Sequence, residues 1–142
     1  MYFNYPKATT HYFIRLEIDK ENAQENRTAD ILLVSRFQSL VETMFSNEDA
    51  EAEVRQPSYY AEKLNVHPNH LNAVVKRISG KTASQIIQQH LINRSKSLLL
   101  QTTLSVKEIA YRMHFNEPTH FNAFFRKISG VTPQQFREMH SL

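Results

Sequence analysis

The sequence predicts an all-α fold in which one short two-helix unit is built twice. Three observations lead there. A stretch of about twenty residues recurs fifty positions later, helix start and stop residues punctuate both copies, and an uninterrupted 19-residue segment joins them.

The repeat comes first. Residues 67–86 set against 117–136 match at Pro68/Pro118, His70/His120, Asn72/Asn122 and Ala73/Ala123, and again at Ile78/Ile128, Ser79/Ser129, Gly80/Gly130, Thr82/Thr132 and Gln85/Gln135. Nine identities in twenty exceed the roughly one expected from average amino-acid usage. Leu71/Phe121, Val74/Phe124, Val75/Phe125 and Ile86/Phe136 keep apolar character. Upstream the register shifts to 49 (Ala61/Ala110, Leu64/Met113, Val66/Phe115), so the second copy has one more residue in its turn.

Each copy reads as helix, tight turn, helix. "SYYAEKL" and "SVKEIAYRM" are the entry helices, the second opened by a Ser105/Glu108 capping box. Pro68 and Pro118 stand in the first turn of the next helix, where a missing N–H costs nothing. Leu71, Val75 and Ile78, like Phe121, Phe125 and Ile128, recur at i, i+4, i+7 and define a buried face. Gly80 and Gly130, the only two glycines, end these helices, because a left-handed terminal residue is cheap only without a Cβ. Thr82 and Thr132, each followed by Gln three residues on, restart helices. Two short helices across a three- or four-residue turn form a helix-turn-helix. Ala83 to Gln101 contains neither Gly nor Pro and carries an apolar stripe at Ile86, Ile87, Leu91, Leu98 and Leu99, so it reads as one linker helix. At 1.5 Å per residue it spans roughly 28 Å, comparable with the ~34 Å between successive major-groove faces on one side of B-DNA.

Residues 1–57 form a separate N-terminal segment. "THYFIRLEID" alternates Ile14, Leu16 and Ile18 with charged residues and reads as a single strand. An amphipathic helix is expected at about 29–46, capped by Thr28 or Asp30, with Phe37, Leu40, Val41 and Met44 on one side. An acidic linker ending at Pro57 follows. The opening "MYFNYPKATTHYF" is not a clean domain start.

Charge divides at the same place. The chain carries +3 overall, but residues 1–57 hold 6 Lys and Arg against 10 Asp and Glu, a net of −4. Residues 58–142 hold 11 against 4, a net of +7. A basic unit of this kind meets a polyanion or presents a solvated basic face. The absence of cysteine excludes disulfides and Cys-type zinc sites and fits a reducing cytoplasm. No apolar run spans a membrane, and no leader is apparent. His67 and His70 have i, i+3 spacing without a third ligand, so no metal or other cofactor is expected. Phe115, Phe121, Phe124, Phe125 and Phe136 have helical spacing and read as core. No nucleophile elbow or other catalytic arrangement occurs, and the chain reads as no enzyme.

"HFNEPTHFNAFFRKISGVTPQQFR", His114 to Arg137, resembles the signature of the AraC/XylS family of bacterial transcription regulators. "YYAEKLNVHPNHLNAVVKRISGKT" and "NRSKSLLLQTTLSVKEIAYRMHF" resemble its first subdomain and its linker with second entry helix. The likeness spans about residues 58–140. It implies two homeodomain-like helix-turn-helix subdomains, each with a DNA-reading helix. Carried over by position, the reading face is Asn69, His70, Asn72, Ala73 and Lys76 in the first, and Thr119, His120, Asn122, Ala123 and Arg126 in the second. Asn can bond bidentately to adenine, Thr and Ala methyls can meet the thymine methyl, and Lys or Arg can neutralise phosphate. Ala73 and Ala123 stand where several members carry a longer polar side chain, often Arg. Absence of cysteine sets aside the alkyl-accepting repair members. The resemblance further implies a binder of double-stranded DNA that acts as an activator, with RNA polymerase as a further partner; two units in one chain point to a monomer, and the composition to a cytoplasmic protein without membrane contact. A non-enzymatic helical protein-interaction module is the alternative reading of the same faces, and RNA binding a third. Residues 1–57 are too few for a sensor barrel, and they assign no effector pocket.

Overall fold

The computed structural model describes residues 7–47, 50 and 52–141, with side chains from Ile14 onward. Among these, seven α-helices follow one another: α1 (Lys7–Ser46), α2 (Pro57–Lys63), α3 (Pro68–Ser79), α4 (Ala83–Gln101), α5 (Val106–Arg112), α6 (Pro118–Ser129) and α7 (Pro133–His140). A single 3-10 turn, Ala52–Arg55, precedes α2.

The expected punctuation is present atom by atom. Thr82 with Gln85, Ser105 with Glu108 and Thr132 with Gln135 form complete capping boxes, each side chain bonding the other's backbone N–H. Gly80 and Gly130 close α3 and α6 at φ of 75° and 81°. The turns inside the two units also repeat: Asn65 and His114, 49 positions apart, both take left-handed φ, at 55° and 66°. Asn is a common occupant of that region, and His is enriched there several-fold. Val66 and Phe115 then donate back to the carbonyls of Ala61 and Ala110, both at 3.0 Å. From the left-handed residue to the next helix takes three positions in the first unit and four in the second.

Linker helix α4 belongs to both units. Its first turn, opened by Thr82, is to α3 what α7, opened by Thr132, is to α6. Ile86, Ile87, Leu91, Ile92, Leu98 and Leu99 are buried along its length. At its far end the Arg137 guanidinium of α7 donates from Nε to the Leu99 carbonyl at 2.9 Å and from Nη2 to the Thr102 carbonyl at 3.3 Å. These carbonyls close the helix, and a cation there also complements the helix dipole.

The N-terminal segment differs from expectation. Residues 10–19 are helical, and α1 runs unbroken for 40 residues, roughly 60 Å. An isolated strand would leave its N–H and C=O groups without partners, whereas a helix satisfies them internally. No Gly or Pro interrupts Lys7–Ser46, and the described residues contain no strand for pairing. Thr28 and Asp30 are therefore interior residues, not caps. Thr28 Oγ1 donates to the Gln24 carbonyl one turn back, at 3.0 Å.

Among the described side chains of α1, the buried ones lie in its C-terminal part. Val34, Phe37, Val41 and Phe45, spaced by three or four, are buried in the same cluster as Tyr60, Leu71, Val74, Val75 and Ile87. Leu40 and Met44 lie partly buried against it. Phe37 meets Tyr60 edge to face at 5.4 Å, and the Tyr60 hydroxyl donates to the Val54 carbonyl at 2.6 Å. Residues 52–55 of the acidic linker thus dock on the core through Val54; residues 48, 49 and 51, like the opening residues 1–6, lie outside the described set.

The second unit closes around aromatic rings. Phe115, Phe121 and Phe125 are buried, and Phe124 and Phe136 lie partly buried against them. Phe115–Phe121, Phe121–Phe125 and Phe125–Phe136 form a chain of contacts at 5.4–6.0 Å. The phenylalanines are core.

Candidate nucleic-acid interface

Helices α3 and α6 have the same length and the same division of faces. Leu71, Val74 and Val75 of α3 and Phe121 and Phe125 of α6 point inward. Asn69, His70, Asn72, Ala73 and Lys76 are all exposed on the other side of α3. On α6, Thr119, His120, Ala123 and Arg126 are exposed, while Asn122 is half-buried. Each set therefore lies together on one helix face, with Asn122 more enclosed than its counterpart Asn72.

Neither helix contains an acidic residue, and both end in two adjacent cations: Lys76 and Arg77, Arg126 and Lys127. Cations in a last turn always complement the helix dipole, but a pair on an acid-free face also suits phosphate. Arg77 and Lys127 were not among the residues picked out from sequence. The signal was there, since His70, Ala73 and Arg77 follow i, i+3, i+7 spacing and His120, Ala123 and Lys127 repeat it. The two cations differ in surroundings. Arg77 Nη2 lies 2.6 Å from Asp30 Oδ2 of α1, whereas Lys127 has no acidic partner among the described residues.

His67 has a structural duty. It is the N-cap of α3, its Nδ1 accepting the Asn69 N–H at 3.1 Å. Among the described residues no group of three or more His, Asp or Glu side chains is placed to hold a metal ion.

His114 is the other histidine with a distinct environment. It is buried in the turn between α5 and α6, with the Phe45 ring 6.2 Å away and its Nε2 without a hydrogen-bond partner. Arg55 lies 4.1 Å over the neighbouring Phe115 ring. Burial, and then the nearby Arg55 charge, push the His114 imidazole below its ordinary value; the carbonyls of Ala50 and Met44 pull weakly the other way. Burial likewise raises the Tyr60 phenol, with Tyr59 adding to it. Both perturbed groups sit in packing positions, away from the exposed faces of α3 and α6.

Two punctuated two-helix units on a shared helix, each presenting an acid-free helix face, define a helix-turn-helix DNA-binding domain. The helix-turn-helix domain family matches residues 60–139, more than half of the chain. The chain belongs to that family in its AraC-type form, a class of non-enzymatic DNA-binding transcription regulators. Among solved structures it is similar to the C-terminal domain of AraT, a response regulator from Geobacillus stearothermophilus, at 29% identity and a TM-score of 0.67, covering 78% of this chain and 87% of that one. It is also similar to the C-terminal domain of the two-component response regulator yesN from Fusobacterium nucleatum, at 27% identity and a TM-score of 0.62, covering 71% and 93%. The DNA-binding domain of AdpA, a global transcriptional factor, shares the fold at 19% identity and a TM-score of 0.62, covering 76% and 91%. Comparison with curated proteins gave no match. Among the described residues no helix is long and apolar enough to cross a membrane.

Proposed function

We propose that residues 58–142 bind double-stranded DNA as a monomer, with α3 and α6 entering successive major grooves on one side of the duplex. The observation behind this reading is the duplicated acid-free face on two helices joined by one continuous helix. Asn69, His70, Asn72 and Ala73 read base edges in the first segment, and Thr119, His120, Asn122 and Ala123 in the second, while Lys76 and Arg126 flank them at phosphates. AdpA, whose fold the chain shares, was solved in complex with a target DNA, which supports this use of the fold. We further assign the role of activator acting through RNA polymerase, on the resemblance alone; a promoter-fusion assay distinguishes it from repression.

A single helix-turn-helix reads too few base pairs to select a promoter, and most such proteins pair two chains on a palindrome. Here both readers are in one chain and are not identical. The expected site is therefore non-palindromic, with two short segments about 10–10.5 base pairs apart. Five base pairs inserted between them place the segments on opposite faces and should abolish high-affinity binding. Selection that returned a palindrome bound only by a dimer would overturn the two-reader mechanism. Binding with no dependence on salt would point to protein docking instead.

A further inference from the structure

Arg77 and Lys127 occupy equivalent places in the two readers, yet only one is neutralised. The Asp30 carboxylate that holds Arg77 comes from α1, outside the duplicated units, and the pair bridges 47 positions of sequence. Asp30 is the more enclosed partner, its side chain 18% exposed against 57% for Arg77. The arginine is thus the solvent-facing partner and the acid the enclosed one. Both line an open cleft between α1 and the end of α3, together with Asn26, Arg27, Ile31 and Ile78. Arg27, one turn before Asp30 on α1, is the second cation in that cleft and can take over the carboxylate if Arg77 leaves.

We propose that Asp30 acts as an electrostatic brake on the first reader, holding Arg77 back from a DNA phosphate that its counterpart Lys127 is free to contact. This rests on the DNA-reading role above. Arg77 continues the stripe of His70 and Ala73 along α3, so it points to the same side as the reading residues. With Asp30 in place the cation is cancelled, and any phosphate drawn close is repelled by the carboxylate. The two readers then hold DNA with unequal electrostatic strength, and any event that moves or covers α1 near Asp30 tightens the first one.

The experiment is a set of DNA titrations at several salt concentrations with the full chain, comparing the parent with Asp30→Asn, Arg77→Gln, Lys127→Gln and the Asp30→Asn/Arg77→Gln double variant. Losing one phosphate contact flattens the slope of log affinity against log salt by about 0.9. Lys127→Gln should show that loss, and Arg77→Gln should leave the slope unchanged. Asp30→Asn should steepen the slope by about 0.9 and tighten binding about two- to fivefold, the range of an exposed ion pair. The double variant should return to the parent. Arg77→Gln flattening the slope as much as Lys127→Gln would overturn the brake, and so would Asp30→Asn binding no more tightly than the parent with an unchanged melting curve. A parent chain that showed no salt-dependent binding would instead remove the DNA-reading role itself.

Discussion

Phe37→Ala tests whether α1 is part of the DNA-binding unit or merely attached to it. Phe37 is fully buried, packed edge to face on Tyr60, whose hydroxyl in turn holds the Val54 carbonyl. Removing the ring deletes its transfer free energy and leaves a cavity between α1 and α2; such truncations cost about 3–5 kcal/mol. Roughly 0.5–1.5 kcal/mol of that belongs to the ring–ring geometry. For a chain of this size 1 kcal/mol moves the melting temperature by roughly 2–4 °C, so a fall of roughly 6–20 °C is expected. Leu32→Ala is the control, because Leu32 lies on the same helix but is 51% exposed, and its loss should stay within about 0.5 kcal/mol. Thermal melts followed by circular dichroism, with denaturant titration to confirm two-state behaviour, make the comparison. Equal melting temperatures for Phe37→Ala and Leu32→Ala would refute the argument: α1 would then contribute nothing to the core and residues 58–142 would stand alone.

Three further outcomes are expected. Gly130→Ala meets no atom within 4 Å of the new Cβ, so its cost is backbone strain at φ of 81° alone, about 1–2 kcal/mol by denaturant titration. Arg126→Ala should weaken binding to all sequences alike and flatten the salt slope by about one, whereas Asn122→Ala should lose preference at one or two base pairs, about 1–3 kcal/mol each, as read from a panel of sites. His114 binds its proton less readily when folded than at its ordinary 6.5, so the unfolded chain takes up the proton first. Its contribution to stability is full above about pH 6.5 and falls as pH drops below that; His114→Asn, which keeps the residue type found at left-handed Asn65, should flatten unfolding free energy measured from pH 5 to 8.

The parts of this fold legible in sequence are those decided locally. A capping box needs only Thr82 and Gln85, or Ser105 and Glu108, three residues apart. A left-handed helix end needs only Gly80 or Gly130. The residues assigned to the two faces came from the family resemblance, position by position; the structure leaves Asn69, Asn72 and Ala73 exposed on α3. What escaped was decided across the chain. Thr28 and Asp30 have the chemistry of N-caps, but α1 passes through them because Val34, Phe37, Val41 and Phe45 anchor it below and nothing breaks it above. Alternating Ile14, Leu16 and Ile18 imitated a strand, but among the described residues there is no strand for it to pair with. The Asp30–Arg77 pair and the Arg137 contacts at the end of α4 each depend on an element brought from elsewhere, and no spacing rule contains them.

On the proposed mode of binding, sharing one helix between two readers ties the protein to two periods that do not divide each other. Each residue added to α4 advances the second unit by about 1.5 Å and swings it by about 100°. Seven added residues nearly restore its facing while adding about 10.5 Å, but on the duplex that distance is about three base pairs, close to a third of a turn. Facing and groove come back together only after a whole turn of DNA, some 22 to 25 residues further on. Small insertions or deletions in α4 therefore do not retune such a protein to a slightly wider or narrower site; they disconnect it. Under that mode, change of target comes through the side chains of α3 and α6, one base pair at a time, with the length of the helix between them held constant.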